Sequence, residues 1–114
     1  MESNSAGRRI VKTNKVDFEI YDLDGKPQPE IELLRLSYDL QTRRGTYMMR
    51  MAAGAQTVEH THKFREEYLI LEGDLVENDG TVLGPGDYVC FAPGTRHYSR
   101  TNEGCLLIAF DWKE

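Results

Sequence analysis

Turn-forming residues divide this chain into short segments, and their spacing limits the folds that it can adopt. Ten glycines and four prolines are distributed over 114 residues, and no long segment between them has a convincing helical pattern. The sequence Asn78-Asp79-Gly80 is a strong hairpin signal, because Asp-Gly supplies the positive φ of a tight turn. Roughly ten short strands separated by such turns predict an all-β sandwich or barrel.

Individual segments support this prediction. Residues 16–21 alternate between apolar and polar side chains, as a half-buried strand does. Residues 31–38 have leucines that would also suit a helix, but the short length and the flanking Pro and Gly residues favour a strand. Residues 22–29 are predicted to form a turn-rich loop, and residues 39–45 a hairpin connection. The other predicted strands are 46–51, 57–62, 66–72, 73–76, 81–83, 88–91, 97–100 and 105–112.

Length, charge and cysteine content exclude several classes of protein. The chain shows no internal repeat or linker, so we expect one domain at residues 9–114 after a flexible terminus at residues 1–8. Fourteen basic and 19 acidic residues give a net charge of −5, which argues against binding to nucleic acid. No apolar run approaches the roughly 20 residues of a membrane-spanning helix. Without a secretory signal or a cysteine framework, a cytoplasmic location is expected, with no membrane partner.

The three histidines of the chain carry the clearest chemical signal. His60 and His62 lie two residues apart in a predicted strand, so their side chains project from the same face. Glu66 opens the next predicted strand and reaches the same point if the two strands pair, and His97 follows a Pro-Gly turn. Three imidazoles and a carboxylate suit a borderline divalent ion and leave positions open for water or substrate. The alternative interpretation is that these are ordinary core or surface histidines.

Residues near the histidines are further candidates for a site. Tyr68 shares the predicted face of Glu66, and these two are the candidate catalytic residues. Ser99 follows the last histidine by two residues and is a pocket candidate. Tyr47 and Arg50 lie on opposite faces of one predicted strand, and alternation alone does not decide which of them lines a pocket. Arg50, if it points inward, would bind an anionic group, whereas core packing is the competing interpretation for the tyrosines.

Two longer stretches resemble the motifs of the cupin superfamily. Residues 54–66, followed by six residues and Gly73, are similar to the first motif, and this spacing favours Glu66 over its neighbour Glu67. Residues 86–97 resemble the second motif. Ala92 and Thr101 depart from the usual pattern, but neither is at a ligand position. The resemblance implies a conical β-barrel, a double-stranded β-helix or jelly roll. It also implies one divalent transition metal per chain, held by His60, His62, Glu66 and His97.

A finer resemblance is to the cupin domain of the ChrR anti-sigma factors. It is carried by Leu71-Glu72-Gly73, by Asp79-Gly80, by residues 92–97 and by residues 103–107. The same group includes small dioxygenases that cleave carbon–carbon bonds in diketones and related carbonyl compounds. The anti-sigma factors also have an N-terminal zinc-binding helical domain that holds the sigma factor. No Cys/His pattern of that kind occurs here, which counts against direct binding of a sigma factor.

Three functions stay open, because many cupin subfamilies share the same four ligands. The favoured one is a small metal-dependent dioxygenase acting on a carbonyl or enolisable small molecule, with iron ahead of Mn, Ni, Cu, Co or Zn. The second is a ChrR-like regulatory module that senses a small ligand or reactive oxygen. The third is a non-redox isomerase or lyase. We also expect a homodimer, in which residues 9–21 exchange a sheet edge with a second copy.

Overall fold

The computed structural model describes residues 2–5, 7–23 and 25–112, and almost all of their regular structure is β-strand. One 3₁₀ turn occurs at Thr13–Lys15. Within the described residues, no helix is long and apolar enough to cross a membrane. The all-β prediction is therefore confirmed. The strands are β1 (Glu2–Ser5), β2 (Arg8–Val11), β3 (Glu19–Leu23), β4 (Lys26–Arg35), β5 (Gly45–Met51), β6 (His60–Thr61), β7 (Arg65–Gly73), β8 (Leu75–Glu77), β9 (Val82–Leu83), β10 (Tyr88–Phe91), β11 (Arg96–His97), β12 (Ser99–Arg100) and β13 (Cys105–Trp112).

The strands pair in one large sheet and three small ones. The large sheet has six antiparallel strands in the order β10-β7-β13-β5-β4-β3. The small sheets are β12-β8-β9, β11-β6 and β1-β2. Most neighbours in the large sheet are distant in sequence, as β13 between β5 and β7 illustrates. The C-terminal strand therefore joins the two halves of the chain into one sheet.

The core lies against one face of the large sheet. On β7, Tyr68 and Ile70 are buried while the residues between them are more exposed. On β13, Leu107 and Ala109 lie opposite these two residues and are also buried. The same alternation continues to the ends of both strands, so it turns Glu66 and Asp111, which are directly opposite each other, toward the interior. The large sheet thus carries two carboxyl groups on its apolar face.

One loop prediction was wrong, and the reason is the position of two prolines. Residues 22–29 are not a long loop, because β4 begins at Lys26 after a tight turn at Gly25, whose φ is 84°. Pro27 lies near the turn end of the β3–β4 ladder, and Pro29 falls where the register shifts. A proline is tolerated at such places, since its missing N–H interrupts no regular ladder bond.

The N-terminal prediction concerns residues that the structure describes only in part. Residues 2–5 form β1, which pairs with β2, whereas residues 1 and 6 lie outside the described residues. The flexibility of residues 1–8 and the domain boundary at residue 9 stay predictions.

One glycine in the first sequence motif has a clear structural role. Gly73 ends β7 with a φ of 81°, a value that L-residues rarely adopt. A Cβ at this position would overlap the carbonyl oxygen of Gly104. Only glycine therefore allows this close approach between the end of β7 and the start of β13.

Candidate metal centre

The three histidines meet because a short antiparallel ladder aligns them. β6 pairs with β11 so that His97 lies directly opposite His60. Backbone hydrogen bonds continue this pairing past β6, with the His62 N–H donating to the Thr95 oxygen at 2.9 Å. One ring nitrogen from each histidine lies within 4.8 Å of the other two. The condition stated for Glu66, that its strand pairs with the strand of His60, is not met, since β7 pairs with β10 and β13.

Hydrogen bonds fix the orientation of two of the rings. Nδ1 of His60 lies 2.7 Å from the Val58 carbonyl oxygen, and Nδ1 of His97 lies 2.7 Å from Oε1 of Glu77. Because a carbonyl or carboxylate oxygen only accepts, both Nδ1 atoms carry the proton, and both Nε2 atoms offer a lone pair. Nε2 of His97 lies 2.7 Å from Nε2 of His62. This arrangement of imidazole nitrogens fits a divalent ion.

Glu77 is a partner of this cluster that the sequence reasoning missed. It accepts from Nδ1 of His97 and from the hydroxyl of Ser99. A carboxylate behind a metal-binding imidazole raises the basicity of the ring and holds its tautomer. Strand alternation in the sequence could have identified Glu77, because it is two residues from Leu75, which is buried, and so shares its face.

Glu66 lies beside the histidine cluster rather than among its ring nitrogens. Its Oε1 is 3.5 Å from Nδ1 of His62, and its Oε2 accepts a hydrogen bond from Tyr47 Oη at 3.0 Å. Burial works to raise the pKa of Glu66, but hydrogen bonds from Asp111, Tyr68 and Tyr47 and the nearby His62 outweigh it and lower the pKa. Glu66 is therefore a buried carboxylate surrounded by donors.

Asp111 is the second carboxyl group of the site, and sequence reasoning missed it as well. Burial, together with the hydrogen bond and the charge of Glu66, raises the pKa of Asp111 to about 9. Asp111 is then protonated at neutral pH and donates to Glu66. Its Oδ1 is buried and has no hydrogen-bond partner among the described residues. The sequence signal that could have identified Asp111 is strand alternation, because it lies on the same face of β13 as the buried Leu107 and Ala109.

Tyr47 and Tyr68 are the other polar residues around Glu66. Burial first, and then the charge of Glu66, raise the pKa of both phenols well above the usual value. Both hydroxyls are therefore neutral donors to Glu66. For His62, burial lowers the pKa despite the opposing charge of Glu66, so its ring is neutral and available to an ion.

A cavity of about 380 Å³ adjoins the histidine cluster and is lined by His60 and His62 but not by His97. This volume lies at the lower end of the range for small-molecule sites. Its lining includes His60, His62, Glu66, Tyr68, Tyr47, Met49, Leu33, Tyr38, Leu40, Val58, Arg35, Arg43, Asp22 and Asp111. A larger cavity of about 600 Å³ shares Asp111 with the first but is lined by no histidine. Of these two cavities, the smaller one therefore has the candidate chemistry.

Comparison with known proteins gives the family. Residues 7–113 match the model of the ChrR cupin-like domain. The chain belongs to this family. The predicted membership of the cupin superfamily, with a resemblance to ChrR, is confirmed. No curated protein sequence matches this ChrR-type cupin significantly.

Solved structures support the same fold for this ChrR-type cupin. An RmlC-like cupin from Shewanella frigidimarina is 21% identical, with a TM-score of 0.70 over 96% of this chain and 92% of the other. The polyketide cyclase RemF from Streptomyces resistomycificus is 22% identical, with a TM-score of 0.73 over 90% and 77%. A chain of the Rhodobacter sphaeroides complex of SigE with the anti-sigma ChrR is 15% identical, with a TM-score of 0.69 over 89% and 52%. The predicted cupin jelly roll is confirmed.

Two residues of this ChrR-type cupin that were predicted as pocket candidates, Arg50 and Ser99, do not line the cavity of the histidines. Arg50 does not line the cavity, because the inward positions of β5 belong to Tyr47, Met49 and Met51. Its guanidinium carbon lies 4.1 Å from the centre of the Phe18 ring. Ser99 is buried, but its hydroxyl donates to Glu77 and does not line the cavity.

Proposed function

We propose that this chain is a mononuclear metal-binding cupin that acts as a small dioxygenase on a carbonyl or enolisable small molecule. The observation that carries the proposal is that one ring nitrogen from each of His60, His62 and His97 lies within 4.8 Å of the other two. This cluster adjoins a cavity that is lined by His60, His62 and the buried carboxylate of Glu66. An open cavity of this kind is typical of catalytic rather than structural sites.

The histidines would hold one divalent ion per chain, with Glu66 as a fourth ligand. The imidazole and carboxylate donors suit iron, and also Mn, Ni, Cu, Co and Zn. A redox-active ion held there would supply polarisation of an enolised carbonyl and reactivity toward dioxygen. To ligate, Glu66 has to turn from its present contacts with Tyr47 and Asp111 toward the nitrogens of the cluster.

The residues of the chain have separate tasks in this proposal. When Glu66 is in its present position and not a ligand, it is the charged group of the cavity and would take the proton from the carbon between two carbonyl groups. Tyr68 and Tyr47 hold Glu66 by hydrogen bonds, and Met49 and Leu33 contribute apolar surface that excludes water. In the overall reaction dioxygen is reduced and the substrate oxidised. The carbon–carbon bond beside the enolised carbonyl breaks, and each of its two carbons receives one oxygen atom.

A sensing function is the second candidate, because the family is named for ChrR. The chain spans about half of the chain that it matches in the SigE–ChrR complex. In this function the same cavity would bind a small ligand or reactive oxygen and report it to a partner. The third candidate, a non-redox isomerase or lyase, would use the same histidines with zinc.

Oxygen uptake separates these candidates. Protein loaded with iron under nitrogen is mixed with β-diketones, hydroxyacetophenones and phenolic carbonyls, and dioxygen consumption is recorded. The dioxygenase is expected to consume one dioxygen per substrate cleaved, and the zinc-loaded protein none. An iron-loaded protein that converts a substrate without dioxygen would indicate the isomerase or lyase. Tight binding of these compounds without conversion would support the sensor.

We also propose a cytoplasmic homodimer that pairs through residues 9–21. The support is that β3 lies at the edge of the large sheet, with the side chain of Ile20 56% exposed. Deletion of residues 1–21 is expected to convert the dimer into a monomer or an aggregate. An unchanged dimer in light scattering would contradict this interface.

A further inference from the structure

The hairpin turn at the mouth of the cavity presents one arginine in an unusual conformation. Arg43 has a φ of 57° and is the non-glycine residue with positive φ in the described part of the chain. Its N–H donates to the Asp39 oxygen at 2.7 Å. Such a conformation is uncommon outside glycine, asparagine and aspartate, and it costs conformational energy. The turn directs the Arg43 side chain to the cavity of the histidines, which it lines.

Arg43 differs from Arg35, the other arginine that lines this cavity, in its lack of a counter-charge. It has no ion pair or side-chain hydrogen bond with a described residue, whereas Arg35, which also lines the cavity, pairs with Glu19 at 3.0 Å. Arg44, the next residue, lines the larger cavity instead. Asp22 lines the histidine cavity too, but its carboxylate accepts from the N–H of Gly25 at 3.3 Å.

Two tyrosines that line the same cavity as Arg43 lead to Glu66. Tyr38 packs edge-on against Tyr47 with ring centres 5.6 Å apart, and Tyr47 donates to Glu66. Leu40, at the same mouth, is 65% exposed. The cavity therefore has cationic and apolar groups at its mouth and acidic groups with imidazoles at its floor.

We propose that the ligand of this cavity is an enolisable carbonyl compound that also bears a carboxylate, which Arg43 binds while the carbonyl end faces the histidines. This inference rests on the proposed function, because it names the substrate class of that same site. A planar guanidinium matches a carboxylate with two parallel hydrogen bonds. Glu66 repels an anion from the floor, so the same charges also set the direction in which the ligand enters.

The experiment compares two ligands of the same shape and different charge. Succinylacetone has a β-diketone at one end and a carboxylate at the other, and its primary amide lacks the charge. Both are titrated into the protein by calorimetry under nitrogen, where no turnover occurs. The wild type is expected to bind the acid about tenfold more tightly than the amide, which corresponds to ~1.4 kcal/mol.

Matched variants assign this preference to one residue. Arg43→Gln is expected to bind acid and amide equally, whereas Arg44→Gln keeps the wild-type ratio. Arg43→Asn is a second variant, because asparagine tolerates the left-handed backbone of this turn. Circular dichroism and thermal unfolding verify that each variant is folded.

Several results would overturn the inference. These are equal binding of acid and amide by the wild type, no binding of either, or an equal loss of preference in Arg43→Gln and Arg44→Gln. The same titrations on chelator-treated protein separate the two proposals. A protein that takes up no metal but still prefers the acid through Arg43 retains this inference and loses the proposed function. A metal-loaded protein that consumes dioxygen without preferring acid over amide retains the function alone.

Discussion

The two sides of the candidate site are built on different parts of the fold. The histidine side rests on the short β6–β11 ladder, which carries His60 and His97. The carboxylate side rests on the six-stranded sheet, where Glu66 on β7 lies opposite Asp111 on β13. On the histidine side, Nδ1 of His60 and of His97 each has one oxygen acceptor, and Nε2 of His97 contacts only Nε2 of His62 among the described residues. On the carboxylate side Glu66 is surrounded by hydrogen-bond donors.

Because of this difference, we expect the two sides of the site to contribute differently to metal affinity. An ion at the histidines displaces only the contact between His62 and His97. An ion that recruits Glu66 also has to replace the hydrogen bond from Tyr47. The histidines should therefore dominate metal affinity, and the carboxylate side should adjust affinity and reactivity.

The largest expected effect is the loss of a histidine ligand. His97→Ala removes one imidazole and should weaken metal affinity by more than the roughly 10–100-fold typical of an outer partner. Mass spectrometry after equilibrium dialysis measures the metal content of each variant. Arg96→Ala, on the exposed neighbour in β11, is the control and should retain the metal. Equal retention by both variants would show that His97 is not a ligand.

The next effect comes from the partner behind His97. Glu77→Gln keeps the shape of the side chain but removes the charge that holds the Nδ1 proton of His97. Metal affinity should fall about 10–100-fold, measured by competition with a chelator of known affinity. Glu72→Gln, on an exposed position of β7, should match the wild type. A Glu77→Gln affinity equal to that of this control would contradict the role of Glu77.

Glu66 and Glu67 provide a direct comparison of the two faces of β7. Glu66 faces the cavity, whereas Glu67 accepts from Tyr88 and Trp112 on the outer side. Glu66→Gln should lower metal affinity about tenfold, or ~1.4 kcal/mol, and should reduce turnover more strongly. Glu67→Gln should change neither quantity. Parallel chelator titrations measure the metal affinity of both variants. An equal loss of affinity in Glu66→Gln and Glu67→Gln would reject Glu66 as the functional acid.

The smallest effect concerns a single hydrogen bond. Tyr47→Phe removes the bond to Glu66 and should lower the free energy of unfolding by about 1 kcal/mol, with a drop in Tm of roughly 4 °C. Tyr88→Phe removes a tyrosine–glutamate bond at an exposed site and should be nearly neutral. Calorimetric melting of both variants tests whether the buried hydrogen bond stabilises the protein more than the exposed one. An equal fall in Tm in both variants would contradict this expectation.

The sequence was sufficient to predict the parts of the fold and site that depend on local spacing. The alternating pattern and the Asp79-Gly80 turn identified the β-strands, and motif spacing selected the three histidines that the structure brings together. Residues 22–29 were mispredicted, because local turn propensity cannot reveal that residues 26–28 pair with β3 across a tight turn.

Contacts that depend on register between distant strands were not predictable in the same way. The Glu77–His97 contact joins residues 20 positions apart. The pairing of Asp111 with Glu66 depends on where β13 inserts between β5 and β7. Arg43 reaches the cavity through the conformation of one turn. The orientation of Arg50 was left open for a related reason, since alternation gave two faces of β5 but not which one lines the cavity. The structure places Arg50 outside the cavity lining.

The central claim is that the three histidines form a metal centre, and metal content tests it most directly. Untagged protein is purified without chelator under low oxygen and analysed by mass spectrometry, beside His97→Ala. The account predicts about one iron, manganese, nickel or copper ion per chain in the wild type and a large loss in the variant. A wild-type protein that contains no metal and takes up none on reconstitution would contradict it.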